Sequence, residues 1–326
     1  VTGYTPGNYP TVTGQGTSFN LPNFTGELFN IAPRDTPLLT MMGGLGAGMT
    51  TMSRQYEWQG EGLETSSANK VALEGAPAPD PTEVARFNYT NTTEIHQESV
   101  SVSYTKLAAT GQLNGLAIAD ASNPVTNELQ HQLTLKLMKI AIDIEESFTS
   151  GVYALPANNS TPRQTCGLIN AIQTNVFANG GTARAISKSI IDQALANMYL
   201  NGAPLPQETT LFLCHPHQRI ALSNVYGTPP LNQVTFTRNI GGYSVDTLVT
   251  DFGTFGVATS RYMPQGQMLI TDVSQLHPVF LDVPGKGHLF AEPLAKTGSF
   301  EQWQIYGEVG LMYGPETWHG LIGDLS

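Results

Sequence analysis

The sequence is poor in charge. Asp, Glu, Lys and Arg make up 13% of 326 residues, about half the roughly 25% usual in soluble domains. So thin a charge on so long a chain is expected to leave much of the surface facing other protein. Basic residues are the scarcest: 15 Lys and Arg stand against 26 Asp and Glu, a formal net charge of −11. They form no run. A tight nucleic-acid binder needs a cationic stripe to displace phosphate counterions, so contact with DNA is expected to be weak and non-specific. Cysteine is nearly missing as well. Cys166 and Cys214 make no disulfide framework and sit in apolar surroundings, as buried free thiols do in a reducing compartment. The uncharged stretch "TPLLTMMGGLGAGMTTMS" (36–53) is broken by glycines and hydroxyl residues, so it is not a transmembrane helix.

Signatures of catalysis are missing too. The sequence contains no GxSxG elbow, HExxH helix, P-loop, or GxGxxG after a strand. "VPGKGHL" and "LAKTGS" lack Walker spacing and read as turns. "CHPH" (Cys214, His215, His217) is the best metal-ligand candidate, but no second Cys/His cluster supplies outer ligands, so a strand end followed by a helix cap is the simpler account. His277, His288 and His319 are isolated. Glu145 and Glu146 are adjacent on a helix and point in different directions; they read as a solvated face or as partners for Lys or Arg across a subunit boundary. No enzyme, cofactor or metal is expected. The sequons at Asn23, Asn88, Asn91, Asn158 and Asn159 are what a Thr-rich chain produces by chance.

What is present is glycine, 33 residues, and proline, 21, with many Thr and Asn, the composition of β-structure, long loops and extended arms. Residues 1–48 carry sparse apolar anchors, among them Phe19, Leu21, Phe24, Leu28 and Phe29. The first charge is Glu27, and Arg34 is the only basic residue before Arg54. Such a segment cannot build a core, yet it is too apolar for a plain linker, and it is expected to order on a neighbouring surface. Residues 49–105 read as a long two-stranded ribbon. Arg54, Tyr56 and Trp58 share one face of the outgoing limb, and Val100, Val102 and Tyr104 alternate with serines on the return. An isolated ribbon is marginal in water, so it needs something to lie against.

Residues 124–150 are the clearest helix, with Asn123 as N-cap, Pro124 at the first position, and a stripe of Val125, Leu129, Leu133, Leu137, Ile140, Ile144 and Phe148. A second helix is predicted over 187–201. The buried strand "TTLFLC" and a short helix around "RIALSNVYG" follow, giving an α/β lobe near 165–250. From 244 the chain is β-rich. "SRYMPQGQMLITD" (260–272) is read as a β-hairpin turning between "FGVA" and "MLI", and "FEQWQIYGEVGLMYG" as the last long strand.

This order of parts resembles the major capsid protein of tailed bacteriophages, a fold shared with the floor of herpesvirus shells. "DTPLL" (Asp35–Leu39), "DFGTFGVATSRYMPQGQMLITD" (Asp251–Asp272) and "LAKTGSFEQWQIYGEVGLMYGPETWHGLI" (Leu294–Ile322) carry the resemblance. Tyr262, standing where the family often has Phe, is a mild departure. The resemblance implies an α+β chain with an N-terminal arm (1–48), an extended β-hairpin loop (49–105), a peripheral domain (106–164) holding the spine helix 124–150, an α/β axial domain (165–285), and closing peripheral strands (286–326). It implies self-assembly into pentamers and hexamers of an icosahedral shell around double-stranded DNA, built in the host bacterial cytoplasm and carried in the virion. Implied partners are the portal and scaffold or decoration proteins, with no membrane. With "DTPLL" so early in the sequence, a long N-terminal scaffolding domain is expected to have been never fused or already removed. Inter-subunit contacts are expected at Phe19, Phe24, Leu28, Phe29, Arg34, Arg54, Tyr56, Trp58, Lys70, Arg86 and Arg261. Lys70 is the candidate for a covalent cross-link to a neighbour's Asn. The competing reading is a β-rich surface or adhesion protein, which would have little need of a long spar helix.

Overall fold

The computed structural model describes residues 34–62, 71–78, 80, 83–108, 127–158, 160–226, 238–240 and 242–326. The strongest periodic stretch becomes the longest helix, α3 (Glu128–Ser150), numbered after two five-residue helices, α1 (Pro37–Met41) and α2 (Tyr104–Ala108). It begins at Glu128 rather than Pro124. Asn127 is the N-cap, its side chain accepting from the Gln130 N–H at 3.1 Å. Asn123, Pro124 and Val125 lie outside the described residues. The 23 residues span roughly 35 Å. Only the second half of the stripe is fully covered: Ile140, Ile144 and Phe148 are buried, whereas Leu137 is 38% exposed. The cover comes from α1, from α4 (Leu168–Ala171) and from a sheet containing residues 94–103 and 300–312, all of which pack on α3.

The largest sheet has seven strands in the order β5 (Val176–Phe177), β14 (Gly320–Ile322), β10 (Met268–Asp272), β6 (Thr210–Cys214), β9 (Gly253–Thr259), β8 (Tyr243–Thr250) and β7 (Arg238–Ile240). Its centre is buried on both faces. Along β6, Leu211 and Leu213 enter the core shared with α1 and α3, while Phe212 and Cys214 enter a second core, as a two-residue period requires. That second core contains Ile191, Ala194, Leu195 and Met198 of α5 (Lys188–Leu200) and Leu222 of α6 (Pro216–Tyr226). Ser187 caps α5 by accepting from the Ile190 N–H. The lobe is α/β, but it is not confined to the span 165–250 read from the sequence, because β9, β10 and β14 complete its sheet from beyond residue 250.

The stretch 260–267 is not a hairpin turn. β9 and β10 do not pair with each other; both pair with β6, β9 in parallel and β10 antiparallel. The chain crosses the end of β6, and Ser260 N–H bonds the Cys214 carbonyl on the way. Strands adjacent in sequence are here separated by one contributed some forty residues earlier.

The second sheet has five strands. β13 (Phe300–Met312) is its spine, flanked on one side by β4 (Glu94–Ser103) and on the other by β11 (His277–Leu281) and β12 (Leu289–Pro293); β1 (Met49–Thr51) extends it beyond β11. The ribbon is correspondingly shorter than 49–105. Among the described residues only β2 (Gln55–Glu61) and β3 (Arg86–Thr92) pair as a ribbon. The alternation of valines and serines that suggested its returning limb belongs to β4, which buries Val100 and Val102 beneath the five-stranded sheet.

Candidate assembly interface

The ribbon is fastened at its base and apolar at its outer end. At the base, the Trp58 ring lies 4.8 Å from that of Tyr313, edge to face, and 5.8 Å from that of Tyr89. Trp58 Nε1–H donates to the Gly314 carbonyl at 2.9 Å. Tyr56 stacks on Trp58, and its buried hydroxyl fits only because residue 310 is glycine: a Cβ there would stand 2.4 Å from it. Burial pushes the Tyr56 phenol well above its ordinary range. Tyr56 and Trp58, singled out in the sequence as contacts between subunits, thus pack on their own chain.

Asn91 completes the anchorage. Its Nδ2 donates to the carbonyls of Leu311 (2.7 Å) and Cys166 (3.2 Å), and its Oδ1 accepts from the N–H groups of Cys166 (2.8 Å) and Thr92 (2.9 Å). Every hydrogen-bonding position of this buried amide is used. Two residues further on, Arg163 holds the Thr93 carbonyl at 2.7 Å and pairs with Glu308. Arg54 projects into solvent, but its carbonyl accepts from Thr93 N–H and the Thr92 hydroxyl, both at 2.8 Å.

Beyond Gly60 little among the described residues holds the ribbon. Arg86 pairs with Glu61 in the open at 3.1 Å, and Phe87 is half exposed. Val71 and Leu73 are 89% and 86% exposed, in a strap whose described charges, Glu74, Asp80 and Glu83, are all acidic. These two apolar residues were missed in the sequence; "VALEG", two large apolar groups in a Pro- and Gly-rich stretch, was the available signal. Phe19, Phe24, Leu28, Phe29 and Lys70 lie outside the described residues.

A second fastening lies where the amino-terminal segment enters the fold. Arg34 is exposed. Asp35 pairs with Arg261 at 2.8 Å, so the "DTPLL" and "RYMP" motifs meet in space. The next turn, α1, is capped from below by Glu145, whose two oxygens accept from the N–H groups of Leu38 (3.0 Å) and Leu39 (2.7 Å). Glu145 is 0% exposed, which corrects the solvated or inter-subunit role expected from sequence. A helix end leaves unpaired N–H groups, and a carboxylate from α3 satisfies two of them. Glu146, the adjacent residue, is exposed.

On the opposite flank of α3, Glu98 of β4 receives both Lys136, at 2.7 Å, and Lys139. Burial opposes the charge on Glu98, but the two ammonium groups hold the carboxyl below its ordinary value. Cys214 is buried within β6, where burial pushes its thiol up to about 12, which leaves it protonated and a poor metal ligand. Among the described residues no three His, Cys, Asp or Glu converge to hold a metal, and no described helix is long and apolar enough to cross a membrane.

A ribbon anchored at one end and apolar at the other, a spine helix under a five-stranded sheet, and a seven-stranded α/β lobe are the parts of a shell-forming subunit with the tailed-phage capsid fold. Among solved structures, the chain is similar to the capsid subunit of cyanophage A-1(L) (TM-score 0.67, 14% identity, 95% of this chain and 98% of that one). It is also similar to the capsid of a native GTA particle (TM-score 0.62, 11% identity, 97% and 98%). A curated relative, the major capsid protein of Escherichia phage Phieco32, is 23% identical over 342 residues, covering 89% of this chain and 90% of the relative. The model of the SU10 major capsid protein family matches residues 11–326. The chain belongs to that family: it is a major capsid protein, a subunit of an icosahedral phage shell and a component of the virion.

Proposed function

We propose that the chain forms pentamers and hexamers that close around double-stranded DNA, with residues 1–48 as arm, the β2–β3 ribbon and the strap between its strands as extended loop, α3 and the five-stranded sheet as peripheral domain, and the seven-stranded sheet with α5 and α6 as axial domain; β1, β4 and β11 thus leave the loop and axial spans expected from sequence, and β14 leaves the closing peripheral strands. The observation that carries this reading is the exposure of Val71 and Leu73 at the end of an anchored ribbon. Burying such side chains is worth roughly 1.5–3 kcal/mol each, and none of the described residues covers them. A copy of the same chain supplies it, and repetition around a shell multiplies modest contacts. Arg34, Arg54, Arg86 and Lys70 meet acidic groups of neighbours, and Phe19, Phe24, Leu28 and Phe29 lie on a neighbour's surface. Tyr56 and Trp58 support these contacts by fixing the ribbon's direction, and Arg261 does so by fixing the arm root through Asp35. Portal, scaffold and decoration proteins are the further partners, and assembly takes place in the host cytoplasm. The acidic balance keeps the packaged DNA loosely held. The chain has no catalytic role.

The test is the double substitution Val71→Asp, Leu73→Asp. The subunit keeps its thermal midpoint, because neither side chain is packed among the described residues, while electron microscopy shows loss of shells and rings. Shells of normal yield and stability from the doubly substituted chain would overturn the role of the ribbon end.

A further inference from the structure

We propose that Glu145, together with Asp35, forms a proton-operated latch on the root of the amino-terminal segment, holding residues 35–42 down in acid and loosening them as the solution turns neutral. The latch joins α3 to α1 across 106 and 107 positions of sequence. The groups that face Glu145 come from every element around it: the N–H groups of Leu38 and Leu39 on α1, the Ser260 hydroxyl at the end of β9, the Asp35 carboxylate, and the phenols of Tyr243 on β8 and Tyr262 in the 260–267 crossing. Glu146 follows it on α3. Arg261 is engaged with Asp35 at 2.8 Å. Among the described residues Glu145 thus has dipoles to bond but no cation as its own partner, and a like charge stands near.

Burial is the largest influence on this carboxyl and favours the protonated form. The Leu39 and Leu38 N–H groups favour the ionised form less strongly, and Asp35 adds repulsion. The balance pushes the carboxyl from 4.5 up to about 7. With the segment lifted away, Glu145 meets water and returns towards its ordinary value. The latched state therefore holds the proton more tightly than the released state. Its stabilisation is fully present below pH 4.5 and is lost as pH rises to about 7. A displacement of this size corresponds to a change on the order of a hundredfold in the ratio of latched to released forms.

Amide hydrogen exchange on the full chain, corrected for intrinsic rates, reads that ratio directly. Protection at Leu38–Met42, relative to β13, is expected to fall on the order of a hundredfold between pH 4.5 and pH 8. Glu145→Gln keeps the shape of the side chain and removes the titration, so its protection ratio is flat with pH. Asp35→Asn removes the like charge and moves the fall to lower pH. A flat profile in the unsubstituted chain, or an equal fall in Glu145→Gln, overturns the latch. If Glu145→Gln does not fold, Asp35→Asn decides: an unmoved profile overturns it. These contacts lie within one chain, so failure here leaves the shell reading standing.

Discussion

Replacing Asn91 with alanine tests whether the ribbon is held by hydrogen bonding at its base. The buried amide makes four bonds, three of them to backbone groups of residues 166 and 311. Alanine removes the partner of the Cys166 N–H and of the carbonyls of Cys166 and Leu311. A buried polar group left unpaired costs about 1–3 kcal/mol. Water entering the vacated space recovers part of that, so the expected loss is about 3–5 kcal/mol. Asn91→Asp is the sharper variant. It keeps the acceptor facing the Cys166 N–H but turns the donor into an oxygen facing two carbonyls, so it is expected to be at least as damaging as alanine above the carboxyl's pKa. Asn88→Ala is the control: on the same strand, Asn88 bonds Glu57 in the open at 3.0 Å, and its loss should cost under about 0.5 kcal/mol. Guanidinium unfolding of the purified chain, with the assembly state matched by native mass spectrometry, gives the three differences. An Asn91→Ala chain within about 1 kcal/mol of the unsubstituted one would refute the reasoning, because the backbone groups at the ribbon base would then have other partners.

Gly310→Ala is expected to lower stability by about 1–3 kcal/mol through overpacking, since the new methyl would meet the Tyr56 hydroxyl at 2.4 Å and the Thr92 carbonyl at 2.8 Å; a thermal midpoint equal to that of the unsubstituted chain would contradict this. His319 is fully buried, its Nε2 donating to the Tyr313 carbonyl at 2.7 Å and its Nδ1 accepting from the Thr271 hydroxyl at 2.8 Å. Burial holds its pKa below the ordinary 6.5, so stability is expected to fall as pH drops below 6.5, where the unfolded chain takes up a proton that the folded one refuses. In His319→Gln that slope disappears, so the gap in thermal midpoint between the two chains narrows towards acid; parallel curves would count against it.

The parts legible in the sequence are those whose cause is local. The faces of α3 and α5 follow a 3.6-residue period, and five consecutive apolar or small residues with no charge mark β6 as a buried strand. Long-range pairing was not legible. "FGVA" and "MLI" flank a turn, as hairpin strands do, and nothing within them says that β6 lies between. The valine–serine alternation of β4 marked a half-buried strand correctly but not its partner, β13. Glu145 gave no local sign of burial, because α1, the element that covers it, lies more than a hundred residues away. Of the contact residues expected from sequence, Tyr56 and Trp58 were recognisable as apolar and placed on one face, yet the surface they meet, Tyr313 and Gly314, belongs to the far end of the chain.

β14 occupies an interior position, between β5 and β10, and it is made of residues 320–322. During synthesis, therefore, the larger sheet stays split until residues 320–322 have left the ribosome. Until then β5 and β10 present unpaired edges, and the short core between α5 and β14 lacks its wall. Closure of this lobe depends on contacts distant in sequence, which form slowly. A subunit built in this order cannot offer a finished lobe to another copy before residues 320–322 have emerged, so its fold sets the earliest moment at which a shell can start to grow.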